Sequence, residues 1–172
     1  DLLARAQTGR LIIFDVDGVL TDGRLFFGDD GQEYKSFHSR DGHGMRMLLD
    51  SGVEIGIITG RTSQVVTHRM RNLGISHVYQ GRRDKLPAYI ELRDKLGFSN
   101  QQMAYMGDDV MDIPVMRQVN LAITVPEAEP LVIRHAHWQT QRAGGQGAVR
   151  DACELIMQAQ GTLQPALDRY CR

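Results

Sequence analysis

Five short apolar runs separated by longer amphipathic stretches leave this chain few folds to adopt. The runs are Leu11-Ile12-Ile13-Phe14, Val53 to Ile58, His77 to Tyr79, Met103 to Met106 and Val119 to Ile123. Each has the length and continuity of a strand buried on both faces. Helices are expected between them over 42–51, 63–73 and 85–96. Each ends at a glycine (Gly52, Gly74, Gly97) suited to a left-handed C-cap. Asp84 suits an N-cap, with Pro87 in the tolerated first turn. Helices at 110–118 and 147–160 complete the pattern. Strand–helix alternation of this kind predicts an α/β fold, a doubly wound, mostly parallel sheet of Rossmann type.

One segment departs from the alternation. Residues 24–38 read as strand, an Asp29-Asp30-Gly31 turn, and strand, a small β-hairpin inserted in the first strand–helix connection. No linker, repeat or low-complexity tract divides the sequence, so residues 1–172 are expected to form a single domain. Its last part, 139–172, would be a glycine-rich segment (QTQRAGGQG at 139–147), a C-terminal helix and a tail. From Gly161 onward a mobile end or a short helix is expected.

Composition narrows function mainly by exclusion. A net charge of -1 over 172 residues supplies no basic field for nucleic acid or a membrane surface. No apolar run approaches the ~20 residues of a membrane-spanning helix. The stretch Asp1 to Arg10 carries two arginines and no apolar core, so no signal peptide is expected there. Cys153 and Cys171 form no C-x-x-C pair and read as free thiols of a cytoplasmic protein. His135 and His137 have no further Cys or His nearby in sequence and read as structural rather than zinc-binding.

The chemistry concentrates where strands end, which is where open α/β sheets bind ligands. Asp15-Val16-Asp17-Gly18-Val19-Leu20-Thr21-Asp22 follows the first strand. A carboxylate there is exposed and fixed in direction, as an in-line nucleophile must be. A second carboxylate two residues on can share its side and move protons for leaving group and water. Gly18 allows a sharp turn beside a ligand. By itself a D-x-D-G could equally be an acidic turn. Thr59-Gly60-Arg61 follows the second strand, and a hydroxyl followed by helix-opening N–H groups can cradle phosphate. Alone it also reads as a capped helix start. Lys85, at a helix start, can neutralise a nucleophile and a transferring phosphoryl group, though lone surface lysines are common. Gly107-Asp108-Asp109-Val110-Met111-Asp112 follows the fourth strand and offers hard oxygens to Mg²⁺. An N-cap with an acidic first turn would look the same.

Charge favours the chemical reading. If these segments converge, Asp15, Asp17, Asp108, Asp109 and Asp112 surround a phosphate dianion. Two like charges at 4 Å repel by ~4 kcal/mol at an effective dielectric of 20. Lys85 and Arg61 cannot offset so many, so a divalent cation is expected, and it would also polarise phosphoryl oxygens.

In this order, D-V-D-G-V-L-T-D, T-G-R, Lys85 and G-D-D-V-M-D resemble the four motifs of the haloacid dehalogenase superfamily. Within it, E-Y-K-S-F-H, R-D-G-H-G-M-R and R-A-G-G-Q-G-A-V-R resemble a subgroup of sugar-acid phosphatases that lack a cap domain. The resemblance implies a magnesium-dependent phosphomonoesterase with an aspartyl-phosphate intermediate. Asp15 would be the nucleophile, Asp17 the acid/base, and Thr59 and Lys85 the phosphoryl-binding groups. Mg²⁺ would be held by the Asp15 carboxylate, the Asp17 carbonyl and Asp108, with Asp109 and Asp112 supporting. The expected substrate is 3-deoxy-D-manno-octulosonate 8-phosphate, hydrolysed to free sugar acid and phosphate in lipopolysaccharide precursor synthesis.

A sugar-acid carboxylate and a phosphate both suit arginine. By resemblance the substrate pocket would include Asp17, His38, Ser39, Arg40, Asp41, Gly42, Arg46, Gly60, Arg61, Arg69 and Lys85. Arg61, Val65 and Arg69 recur every four residues and can face one way on a helix. Arg142, Gly144 and Gly145 would form a contact from the glycine-rich segment, which in the subgroup can reach a neighbouring active site. The hairpins would assemble a homotetramer. Two alternatives stay open on sequence: a nonulosonate 9-phosphate phosphatase, and a phospho-accepting module like the receivers of response regulators.

Overall fold

The computed structural model describes residues 1–172. In chain order its strands are β1 (Leu11–Phe14), β2 (Phe26–Phe27), β3 (Glu33–Tyr34), β4 (Glu54–Ile58), β5 (His77–Tyr79), β6 (Met103–Met106), β7 (Leu121–Thr124) and β8 (Trp138–Gln139). Its helices are α1 (Leu2–Gln7), α2 (Ser39–Asp50), α3 (Gln64–Leu73), α4 (Leu86–Leu96), α5 (Ile113–Met116), α6 (Pro130–His135), α7 (Ala148–Ala159) and α8 (Leu163–Asp168). Six strands form one parallel sheet in the order β5-β4-β1-β6-β7-β8. Strands β2 and β3 pair antiparallel as a separate hairpin.

Every residue of β1, β6 and β7 is buried, as continuous apolar runs require when helices cover both faces. On one face α7 packs against α1 and α2, and α2 touches α3. On the other, α5 packs against α4 and α6. From β1 the chain builds outward through β4 to β5, then crosses back to place β6 on β1's other side. The order therefore reverses at β1, and a ligand crevice is expected beyond its carboxyl end. No cap domain is inserted, and the hairpin is the one excursion between β1 and α2. No helix is long and apolar enough to cross a membrane.

Local chemistry explains where the elements depart from the sequence pattern. Helix α2 starts at Ser39 rather than 42, because His38 caps it, its Nδ1 accepting from the Arg40 N–H at 3.1 Å. The 110–118 segment divides into a 3₁₀ turn (Val110–Asp112) and the short α5, where Pro114 fits only the first turn of a new helix. Gly74 (φ 76°) and Gly97 (φ 69°) close α3 and α4 in the left-handed region, as their positions suggested. The sequence pattern does not mark helices α1 and α6 or strand β8. Each is too short to carry a period of its own. The end of the chain folds as α8.

Candidate active site

Asp15 directly follows β1, and its N–H donates to Met106 O of the neighbouring β6 at 3.0 Å, so the sheet itself fixes its backbone. Its Oδ1 accepts from the Val16 N–H at 2.7 Å and lies 2.9 Å from Lys85 Nζ. Gly18 then turns with φ 87°, and any Cβ there would overlap the Asp108 carboxylate. Glycine is needed on both counts. Thr21 closes the loop, its hydroxyl accepting from the Gly18 and Gly23 N–H groups at 3.2 and 3.1 Å.

Lys85 is 1% exposed and sits at the N-cap of α4. Its ammonium bridges Asp15 Oδ1 and Asp112 Oδ1, the latter at 2.6 Å. Burial would lower its pKa, but the two carboxylates outweigh that and raise it. Asp112, fully buried, accepts from four donors. Lys85 and Tyr105 OH (2.5 Å) meet Oδ1, and the N–H groups of Asp108 (2.9 Å) and Asp109 (3.0 Å) meet Oδ2. Asp109 is exposed and caps the 3₁₀ turn, its Oδ1 accepting from the Val110 N–H at 2.6 Å.

Carboxylate oxygens of Asp15, Asp108 and Asp112 lie within 4.8 Å of one another. Burial, then the Asp112 charge, push Asp15 well above the usual carboxylate range, against the opposing pull of Lys85. Burial, followed by Asp112 and Asp109, push Asp108 up to about 7. Asp108 Oδ1 is buried with no hydrogen-bond partner. Asp112 has its oxygens taken, so Asp15 and Asp108 carry the uncommitted ones. A hard divalent cation fits this set, since it would satisfy the orphaned Asp108 oxygen and relieve the carboxylate repulsion.

That arrangement gives a pH-dependent stability. Without metal, folded Asp108 keeps a proton up to about pH 7 that the unfolded chain releases near pH 4. Stability is therefore lost as pH rises through that window, on the order of 4 kcal/mol at full extent. Mg²⁺ should offset it. Thermal unfolding with and without Mg²⁺ should show a larger metal-induced increase in Tm at pH 7.5 than at pH 5. Equal increases would contradict a cation bound by Asp108.

Thr59, at the end of β4, is 2% exposed, and its hydroxyl bonds to no protein group. Arg82 N–H donates to its carbonyl at 2.9 Å, tying the β5–α4 loop to this rim. Arg61 pairs with Glu33 of the hairpin at 3.2 Å and lies over the Phe27 ring. Asp17 Oδ1 accepts from Lys35 Nζ at 2.6 Å. His38, Ser39 and Arg40 sit at the start of α2, and Gly42 is buried where a Cβ would collide with Arg69 Nη2. Arg69 itself stacks 5.8 Å from the Phe37 ring centroid.

Five of the expected pocket residues, Asp41, Arg46, Arg142, Gly144 and Gly145, make contacts within the chain. Asp41 is 1% exposed and turns away under α7, its Oδ1 accepting from the Arg150 N–H at 2.9 Å in that helix's first turn. Arg46 donates to Leu73 O at 2.9 Å, a favourable place for a cation at the end of α3. Arg142 Nε donates to Asp151 at 2.8 Å. The glycine-rich segment is not a free arm but is docked on its own chain's nucleophile loop. Gly145 N–H donates to Val19 O at 3.0 Å. A Cβ on Gly144 would overlap the Gly18 carbonyl, and one on Gly145 would crowd Thr21 and Asp22. Because those contacts are backbone, Gly144→Ala should destabilise the protein by about 1–3 kcal/mol and displace the Gly18 turn. Thermal unfolding together with kcat/KM should both fall; an unchanged pair of values would show that the loop is not seated there.

Tyr105, Lys35 and Glu33 join the site without being among its expected residues. Tyr105 reads as one more apolar strand residue, and only its hydroxyl betrays a polar partner. Glu33 and Lys35 did carry a signal, since residues two apart on a strand share a face.

A parallel sheet whose switch point carries this aspartate, with threonine, lysine and an acidic pair on the same rim, defines the haloacid dehalogenase-like hydrolases as a class. A family profile described as haloacid dehalogenase-like hydrolase matches residues 74–151. The 3-deoxy-D-manno-octulosonate 8-phosphate phosphatase of Escherichia coli (strain K12) is 48% identical over 166 residues, covering 96% of this chain and 88% of that protein. The crystal structure of the Yersinia pestis phosphatase of that name superposes with a TM-score of 0.93 at 47% identity, covering 95% of this chain and 88% of the other. The Moraxella catarrhalis phosphatase of that name, in complex with a magnesium ion, a phosphate ion and a KDO molecule, gives 0.97 at 38% identity, covering 98% and 97%. The chain belongs to the 3-deoxy-D-manno-octulosonate 8-phosphate phosphatase family of haloacid dehalogenase-like hydrolases.

Proposed function

We propose that this chain hydrolyses 3-deoxy-D-manno-octulosonate 8-phosphate to the free sugar acid and inorganic phosphate, a step of lipopolysaccharide precursor synthesis. The observation that carries the reading is Asp15. Its carboxylate is anchored through Oδ1 by Lys85 and the Val16 N–H, beside an Asp108 oxygen that has no partner.

In this reading the uncommitted Asp15 oxygen attacks phosphorus and forms the acyl phosphate. The ester bond breaks, and Asp17 protonates the departing alcohol. Asp17 then takes a proton from the water that attacks the acyl phosphate, and Asp15 is regenerated. Lys85 stabilises charge on the phosphoryl group, and the Thr59 hydroxyl and the Gly60 and Arg61 N–H groups bind its oxygens. Bound Mg²⁺, held by Asp15, Asp108 and the Asp17 carbonyl, would neutralise phosphoryl charge. Asp112 and Asp109 hold this frame through their hydrogen bonds. Arg69, His38, Ser39 and Arg40 are the pocket groups with no ion-pair partner in the protein, and Arg61, held at the rim by Glu33, lies beside them for the sugar acid.

A homotetramer and a cytoplasmic location belong to the same proposal. Leu25, Phe26, Phe27 and Tyr34 expose apolar surface on the hairpin, which supports its use in assembly. Cys153 and Cys171 are both unpaired. Light scattering of the purified chain tests the assembly.

Phosphate release by purified protein with Mg²⁺ tests the activity. The ratio of kcat/KM for the octulosonate 8-phosphate and a nonulosonate 9-phosphate should favour the former, and a ratio favouring the latter would reassign the substrate. Family membership leaves the receiver-like reading without support.

A further inference from the structure

Lysines are among the residues least often fully buried, and a two-stranded hairpin offers little to bury one. Lys35, directly after β3, nevertheless has a side chain only 1% exposed. Its ammonium lies between Asp17 Oδ1 at 2.6 Å and Glu33 Oε1 at 2.8 Å. Glu33 is held in turn by Arg61, Nε to Oε1 at 3.2 Å and Nη2 to Oε2 at 3.3 Å. Arg61 lies over Phe27, 5.7 Å from its ring centroid. One ionic chain thus joins the hairpin, the phosphate-binding rim and the loop that carries Asp17. Desolvating such groups offsets much of their attraction, so stability alone is a weak reason for the arrangement. Its geometric consequence is sharper. Asp17 Oδ1 is committed to Lys35, and Oδ2 makes no hydrogen bond within the protein.

We propose that Lys35 is a positioning residue for Asp17, holding Oδ1 so that Oδ2 is the oxygen presented to the leaving group and then to water. The inference rests on the acid/base assignment of Asp17. When the ester O–P bond breaks, its electron pair stays on the alcohol oxygen, which receives the proton from Oδ2. When the water oxygen bonds to phosphorus and the Asp15–phosphorus bond breaks, the water's proton returns to Oδ2. Lys35 touches neither substrate nor phosphorus in this scheme. Glu33 fixes Lys35, and so the hairpin sets the orientation of the proton carrier.

The test separates positioning from mere support by changing the leaving group. The ratio kcat/KM extends only to the first irreversible step, departure of the alcohol. A sugar alcohol needs a proton to leave, whereas p-nitrophenolate does not. Lys35→Met should lower kcat/KM for the octulosonate 8-phosphate by about 10- to 100-fold and for p-nitrophenyl phosphate by less than ~3-fold. Lys35→Arg, which can still donate to Oδ1, should recover most of the loss. Equal losses on both esters, or none on either, would overturn the proposal. If Lys35→Met does not fold by circular dichroism, Lys35→Gln is measured against the same ratio and read the same way. Asp17→Asn in parallel distinguishes the failures. Selective loss there without selectivity in the Lys35 variants sinks the Lys35 role alone, and no selectivity in any of them sinks the acid/base assignment as well.

Discussion

Asp15→Asn should eliminate phosphate release while the protein stays folded. An asparagine keeps the shape of the side chain, and its carbonyl oxygen can still accept from the Val16 N–H and from Lys85, the two groups that anchor Oδ1. What it lacks is a second nucleophilic oxygen, so the acyl phosphate cannot form. Removing a covalent nucleophile costs on the order of 10⁴–10⁶ in kcat, because the surviving groups can bind the transition state but cannot split the reaction into two steps. Stability should change little. Asp15 is a buried carboxylate whose ionised form is opposed by burial and by Asp112 and favoured by Lys85. Replacing it with a neutral amide relieves the repulsion but takes one counter-charge from Lys85, so the two effects oppose each other and Tm without metal at pH 7.5 should stay close to that of the unaltered protein. The Mg²⁺-induced increase in Tm should shrink, since one of the uncommitted oxygens is gone. Near-normal turnover with an unchanged circular dichroism spectrum would remove Asp15 from the nucleophile's role.

The frame around Asp15 was legible because each part occupies a position that sequence marks. Asp15, Thr59 and Asp108 sit at strand ends that apolar runs delimit, and Lys85 precedes a helix whose Pro87 and Gly97 bracket it. Parallel pairing of β1 with β4 and β6 then brings three of these segments to one rim without further information. Pairings across long separations were not legible. Asp41 meets an N–H 109 residues away, and a carboxylate facing a helix start looks in sequence like one facing a cleft. Nor does the sequence mark the partners of Arg46 and Arg142, which in the structure donate to the Leu73 carbonyl and the Asp151 carboxylate. The glycine-rich segment reads as flexible because glycine is permissive. Here the glycines serve close approach instead, letting one backbone lie against another at Gly18 and Thr21.

Asp112→Asn should be the most damaging conservative change in the site. Two partners meet each of its oxygens, and all four are donors: Lys85 Nζ, Tyr105 OH, and the N–H groups of Asp108 and Asp109. A carboxylate answers four donors with acceptors on both sides. An amide cannot, because one side becomes an NH₂. If the amide nitrogen turns toward the backbone, it opposes two N–H groups that cannot move. If it turns the other way, it opposes the Lys85 ammonium, although Tyr105 can rotate its hydroxyl to accept. Either choice leaves buried donors unsatisfied and strips Lys85, 1% exposed, of one of its two counter-charges. Breaking a buried ion pair on one side typically costs about 3–5 kcal/mol. At this chain length that corresponds to a Tm lower by roughly 6–20 °C. Activity should fall too, because Lys85 is then free to close on Asp15 alone and the Asp108–Asp109 turn loses its anchor. Thermal unfolding of Asp112→Asn beside Asp109→Asn gives the contrast. Asp109 is exposed and caps only a short turn, a role asparagine fills about as well, so Asp109→Asn should cost less than about 0.5 kcal/mol. If the two variants were equally stable, the network at Asp112 would not be holding Lys85 and the metal-binding loop in place.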